Sequence, residues 1–191
     1  LQLGLAALQQ LDPLTEASQE AAQLAAASDL SIALAVWGQL GPTVVRLDEP
    51  RYPLHVNLRV GTVMSLFNTI TGRVFAAYLP EKMVRSMLED EHRRVVGGTS
   101  ASFDAPEVQA LLGEIRATGM GRGVSMPQPG VNTLCAPVFD AAGHIALVMT
   151  MIGPQGVFDA EIDSAAGELL RQHARRTSLR LGHSVLTTAI G

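Results

Sequence analysis

The sequence predicts a single α+β domain, and three observations carry that reading. Helix-period segments and strand-like apolar runs fall in blocks rather than alternating one for one. The strand candidates come in adjacent pairs joined by short turns, which makes them antiparallel. The 191 residues, 47% hydrophobic and 17% charged, suffice for a sizeable core without disulfides or metals.

Each element has its own signal. Leu1, Leu5, Leu8 and Leu11 repeat at helical spacing. Asp12-Pro13 then reads as a break, with Asp12 as a cap and Pro13 in a new first turn, so two helices are expected, the second running to Ala27. Ser31 to Trp37 is a short apolar run, and Gly41-Pro42 turns it into a returning strand from Thr43 to Leu47. A shorter strand is expected around His55 to Leu58. Gly61 to Asn68 has no clean period and reads as a loop with apolar side chains. Thr71 to Tyr78 reads as a short helix, and Pro80 starts another to about Glu91.

Arg93 to Ser102 is polar and read as a loop. Asp104 is expected to cap a helix running to Thr118, after which Gly119, Gly121 and Gly123 loosen the chain. Val131 to Phe139 and His144 to Ile152 are strong strands around an Asp140–Gly143 turn. Asp159 is expected to cap a last helix to about Leu181, with Glu161 and Asp163 in its first turn and Gly182 ending it.

The composition excludes several functions. A formal charge of −4 with no basic run leaves no footprint for gripping DNA. No stretch reaches the about 18 apolar residues of a membrane span. The single cysteine, Cys135, cannot form an internal disulfide, and a cytoplasmic location is expected. The start at Leu1 has no basic n-region and no methionine, which reads as a chain cut from something longer. The five histidines are scattered without metal-site spacing, so no metal and no cofactor are expected. His144 is expected in solvent beside its turn, and His173 as a hydrogen-bonded histidine at a helix interface. Gly119 to Gly123 lacks the full dinucleotide pattern. Cys135 lies in mid-strand, where packing is the expected role rather than catalysis. The chain is therefore not expected to be an enzyme.

Several segments together resemble the IclR family of bacterial transcription regulators. Leu1-Gln2-Leu3-Gly4 is similar to the family's "Y-x-L-G" junction. Val60-Gly61 through Thr71-Gly72-Arg73 to Leu79-Pro80 resembles its "vG…ta-x-Gka-lA-x-lp" stretch. Gly119 to Gly123 resembles the segment before its sensing strands. Pro129-Gly130 to Pro137-Val138-Phe139-Asp140, then Gly143 and Gly153-Pro154, resembles "G…ia-aPvfd…G…sv-GP". Ala174 to Gly182 resembles the closing "A…ls…lG". The sequence departs from the family at Leu1, where tyrosine is typical, and at Thr150-Met151-Ile152, where small hydroxyl residues are common.

The resemblance implies a GAF/PAS-like curved antiparallel sheet flanked by helices, with a long C-terminal helix. It implies a linker helix over 1–11 following an absent DNA-binding domain, and an effector-binding domain over 12–191. The partners would be a small-molecule effector, DNA only through the missing N-terminal domain, no membrane, and further copies in a homodimer or homotetramer. The implied ligand contacts fall at Val131, Thr133, Thr150 and Ile152, and strand parity adds Cys135. Met64, Leu66, Asn68, Thr71 and Gly72 would close the cavity, with free backbone N–H groups near Gly72. With few fixed cations nearby, an aromatic or other bulky, weakly charged catabolite is expected rather than a two- or three-carbon acid. Two rivals stay open: a cysteine-dependent enzyme, and an oligomerisation module that binds no ligand.

Overall fold

A computed structural model describes residues 2–50, 58–94, 102–126 and 128–184. The strand expected around His55 falls mainly outside them, and the described Leu58 is not in a strand. Among the described residues the order is α1 (Gln2–Ser28), β1 (Ser31–Gly38), β2 (Gly41–Asp48), α2 (Ile70–Tyr78), α3 (Glu81–Arg94), α4 (Pro106–Thr118), β3 (Gly121–Gly123), β4 (Val131–Phe139), β5 (Ile145–Pro154) and α5 (Ala165–Arg180). The strands form one antiparallel sheet in the order β2-β1-β5-β4-β3. The α+β architecture with its long last helix is the one the sequence predicts.

Four local readings need correction. The break at Asp12-Pro13 does not exist, because α1 runs through Pro13 as one helix. A proline there removes one helical hydrogen bond, but Ala17, Ala21 and Leu24 bury fully on the sheet and hold the helix in place. The first hairpin turns at Gln39-Leu40, and Gly41, at φ +111°, already begins β2. Helix α4 is capped by Ala105 without a side-chain bond, and Asp104 instead pairs with Arg85. Helix α5 starts at Ala165, capped by the Ser164 hydroxyl, which accepts from the Gly167 N–H. Asp159 makes only a local turn, accepting from the Glu161 N–H, and Glu161 pairs with Arg122.

The period of two divides the sheet's side chains cleanly. Ile32, Leu34, Leu134, Ala136, Leu147, Met149 and Met151 face one way and pack against α1 and α5. Each large side chain buried there contributes about 1.5–3 kcal/mol. Helices α1 and α5 are also joined by charge. Glu20, fully buried, meets His173 Nδ1 at 2.6 Å. Arg176 lies 3.9 Å from the same carboxylate oxygen. Arg180 lies 3.2 Å from the other oxygen, Oε1, out of line for a hydrogen bond. His173 is thus the interface histidine the sequence suggests, and His144 is solvated beside its turn.

Candidate functional site

The opposite face of the sheet carries Val131, Thr133 and Cys135 from β4, and Val148, Thr150 and Ile152 from β5. Register places Cys135 beside Thr150 and Thr133 beside Ile152. It also places Ala33 of β1 beside Thr150, and Ala35 beside Val148. The two alanines keep this part of the face low, so the helix above can reach the threonines.

That helix is α2, and glycines let it settle. A Cβ on Gly121 would lie 2.7 Å from methyls of Ile70 and Val74, and one on Gly123 would lie 2.6 Å from Ile70. These glycines, read from sequence as loosening the chain, form β3 and admit α2 onto the sheet. Gly72 does the same on the loop side, where a Cβ would stand 2.3 Å from the Ser65 carbonyl oxygen. The Thr69 hydroxyl caps α2, accepting from the Gly72 N–H at 3.0 Å and donating to the Ser65 carbonyl at 2.7 Å. The Gly72 N–H is therefore engaged, contrary to the expectation of free N–H groups there.

The loop before α2 is fastened from two sides. Thr43 of β2 bridges Val63, and the Met64 N–H donates to the Pro42 carbonyl at 2.7 Å. Glu91 of α3 accepts from the Leu66 N–H at 3.0 Å and from the Ser65 hydroxyl. Leu66 and Phe67 turn inward, while Val60 and Val63 are exposed. Only part of the loop's apolar surface therefore faces the protein.

Three polar side chains meet between α2 and the sheet. The Thr71 hydroxyl lies 2.9 Å from that of Thr150 and 3.6 Å from the Cys135 sulfur. Cys135 Sγ is 3.3 Å from Thr150 Oγ1, closing a triangle. Burial pushes the Cys135 thiol from 9.0 up to about 11, against the opposing pull of the two hydroxyls. The thiol is protonated at neutral pH, and its polar neighbours are hydroxyls rather than a base.

The remaining expected residues divide. Val131 and Ile152 form a small apolar cluster with Ala33 and Val44, against which Met64, Leu47 and Leu58 pack. The Thr133 hydroxyl donates to the Met126 carbonyl at 2.9 Å. Leu66 joins the larger core under α2, with Cys135. Asn68 stays outside. It is exposed and lines a different groove with Phe67, Arg73 and Glu107. Arg73 donates to the Phe67 carbonyl at 2.8 Å, and burial holds its guanidinium below its ordinary value. Sequence reasoning missed Glu91, Thr69, Ala33 and Val44. The alternation of β1 carried a signal for Ala33, but its neighbouring strand was not readable.

The sheet, with α2 packed over buried hydroxyls on one face and α1 and α5 on the other, makes an α+β domain. The family described as "Bacterial transcriptional regulator IclR C-terminal" matches residues 5–179, and the chain belongs to it. The chain is 38% identical to the crystal structure of Pseudomonas aeruginosa HmgR, covering 97% of this chain and 73% of that one at TM-score 0.82. The C-terminal domain of the E. coli regulator KdgR shares the fold at TM-score 0.73 and 21% identity, covering 90% of this chain and 99% of that one. The HTH-type transcriptional repressor AllR of Klebsiella pneumoniae is 27% identical over 124 residues, 64% of this chain. The chain spans only 45% of that repressor's length. Among the described residues no helix is long and apolar enough to cross a membrane.

Proposed function

We propose that this effector-binding domain senses a small organic molecule held between the sheet and α2, and thereby modulates operator binding by the full-length regulator. The observation that carries the reading is the buried Thr71–Cys135–Thr150 triangle. Small-molecule sites place a few polar groups in apolar surroundings; Cys135 of the triangle lies in the apolar core with Leu66, and Val131 and Ile152, with Met64 packed against them, form a neighbouring apolar cluster. Thr133 stands two residues along β4 as a further hydroxyl. None of these residues carries a charged side chain, which favours an aromatic or other bulky, weakly charged catabolite.

The mechanism follows from burial. Thr71, Thr150 and Cys135 are each no more than 2% exposed, so a ligand must open the gap between α2 and the sheet to reach them. It shifts the protein only by binding the opened arrangement better than the closed one. Residues 1–11 would serve as the linker to a DNA-binding domain in a cytoplasmic homodimer or homotetramer. One observation favours the rival of a ligand-free oligomerisation module: the triangle's groups already satisfy one another. The cysteine-enzyme rival is disfavoured by the raised, fully buried thiol.

Thermal-shift and calorimetric titration of the intact regulator with organic acids and aromatic catabolites tests the reading. One class of compound is expected to stabilise it by about 3 kcal/mol at a hundredfold excess over Kd. Thr150→Val is expected to abolish that response and leave the fold intact. If no compound bound, or if Thr150→Val bound equally well, sensing at this face would be refuted.

A further inference from the structure

A cleft of about 200 Å³ opens at the other end of β4, beyond Cys135, the last residue of that strand paired with β3. Its floor is aromatic. Phe139 meets Tyr78 edge-on at 5.2 Å between ring centroids and His183 at 5.3 Å. Its rim is cationic, because Arg171 and Arg175 stand one turn apart on α5 and both line the opening. Like charges at this spacing disfavour each other. Arg171 has an acidic neighbour, with Nη1 2.8 Å from Glu168. Arg175 is exposed and has no partner among the described residues.

The polar groups on the floor are already engaged. Ser178 accepts from the Phe139 N–H at 3.0 Å and donates to the Ala174 carbonyl at 2.9 Å. The Tyr78 hydroxyl donates to the Ile115 carbonyl at 3.3 Å. His183 Nδ1 lies 3.2 Å from the Asp140 carbonyl oxygen. Recognition here therefore rests on an apolar, ring-sized floor and on positive charge at the mouth.

We propose that this cleft is a second ligand site, taking a small carboxylate with an aromatic body. The ring would lie on Phe139, and the carboxylate would meet Arg175, with Arg171 beside it. A guanidinium matches a carboxylate in charge and in planar geometry. The volume is comparable to that of apolar cavities that accept a single benzene ring. The site shares no lining residue with the Thr71–Cys135–Thr150 triangle, so it stands or falls independently of the sensing reading.

Benzoate is the probe, titrated into the 191-residue chain and followed by backbone amide NMR. Saturable shifts are expected at Phe139, Ala174 and His183. Arg175→Gln, at an exposed position, is expected to weaken binding about tenfold, and neutral benzamide should bind the wild type about tenfold more weakly than benzoate does. The shifts at Phe139, Ala174 and His183 should persist in Thr150→Val whatever that variant does at the sheet site, which separates the two sites. The proposal is overturned if those amides do not shift, if shifts gather only around Thr71 and Thr150, or if Arg175→Gln binds benzoate as well as the wild type. It is also overturned if the same amides move with protein concentration and ignore benzoate, because a second copy of the chain then covers the cleft.

Discussion

Cys135 shows how burial turns one atom into a reporter of folding. Its thiol is pushed from 9.0 to about 11 because the thiolate would lose water inside the core. Between those values the native chain keeps the proton and the unfolded chain releases it. The stabilising contribution is therefore complete below about pH 9 and is lost as pH rises through about 11. Urea unfolding at rising pH should show wild-type stability falling about 1.4 kcal/mol per unit more steeply than Cys135→Ala in that window. Equal slopes for the two proteins would show that the thiol is not held protonated. Tyr78, raised by its own burial, changes in the same direction in both and cancels.

At this scale the sequence was readable where the rule is local. Period-two alternation groups Val131, Thr133 and Cys135 on one face of their strand and Thr150 and Ile152 on one face of theirs; that the two faces coincide comes from the family resemblance. Asn68 lies exposed, apart from that face, for a different reason. Whether a loop residue points in or out depends on tertiary bonds, here Glu91 holding Ser65 and Leu66 from α3, 25 or more residues away. Nothing in the local pattern of Gly61 to Asn68 encodes that carboxylate.

The elements repeat the contrast. The sequence signalled that helices exist at both ends of the chain, but not where they start. Asp12-Pro13 and Asp159 both have the chemistry of helix starts. In the fold, Pro13 is absorbed inside α1, and Asp159 closes only a turn before Ser164 takes the cap. Competing contacts decided both outcomes: burial of α1 against the sheet for Pro13, and the nearby Ser164 hydroxyl for Asp159.

The pairing of α1 with α5 was also unreadable, since Glu20 and His173 lie 153 residues apart. Removing one member of a buried hydrogen-bonded pair leaves the other without its partner. His173→Ala is expected to cost about 3 kcal/mol in urea unfolding, whereas Glu20→Leu combined with His173→Leu should cost markedly less. A double variant less stable than His173→Ala would show that Glu20 is adequately held by Arg176 and Arg180 alone.

For the molecule as a whole, the sheet separates two tasks. One face bears the buried hydroxyls under α2, and the other holds α1 and α5. Helix α5 also presents Arg171 and Arg175 to the aromatic cleft, while its Arg176 and Arg180 reach toward Glu20 on α1. A ligand in the proposed cleft would therefore act on the same helix that grips α1.

The two margins of that sheet carry a consequence for how copies of the chain can meet. Along β2, the backbone between Gly61 and Met64 already occupies the outer hydrogen-bonding positions at Pro42 and Val44. Along β4, β3 stops at Cys135, Pro137 offers no N–H, and the Phe139 N–H is bound to Ser178. At these positions neither β2 nor β4 is an open template for strand addition, so copies meeting there should associate through side chains rather than by extending the sheet. Pro137→Val restores a backbone donor at the less protected margin. Such a variant should scatter light and bind thioflavin T on prolonged incubation under conditions where the wild type stays clear. On that prediction Pro137 is a guard against runaway polymerisation, set where β4 passes beyond β3.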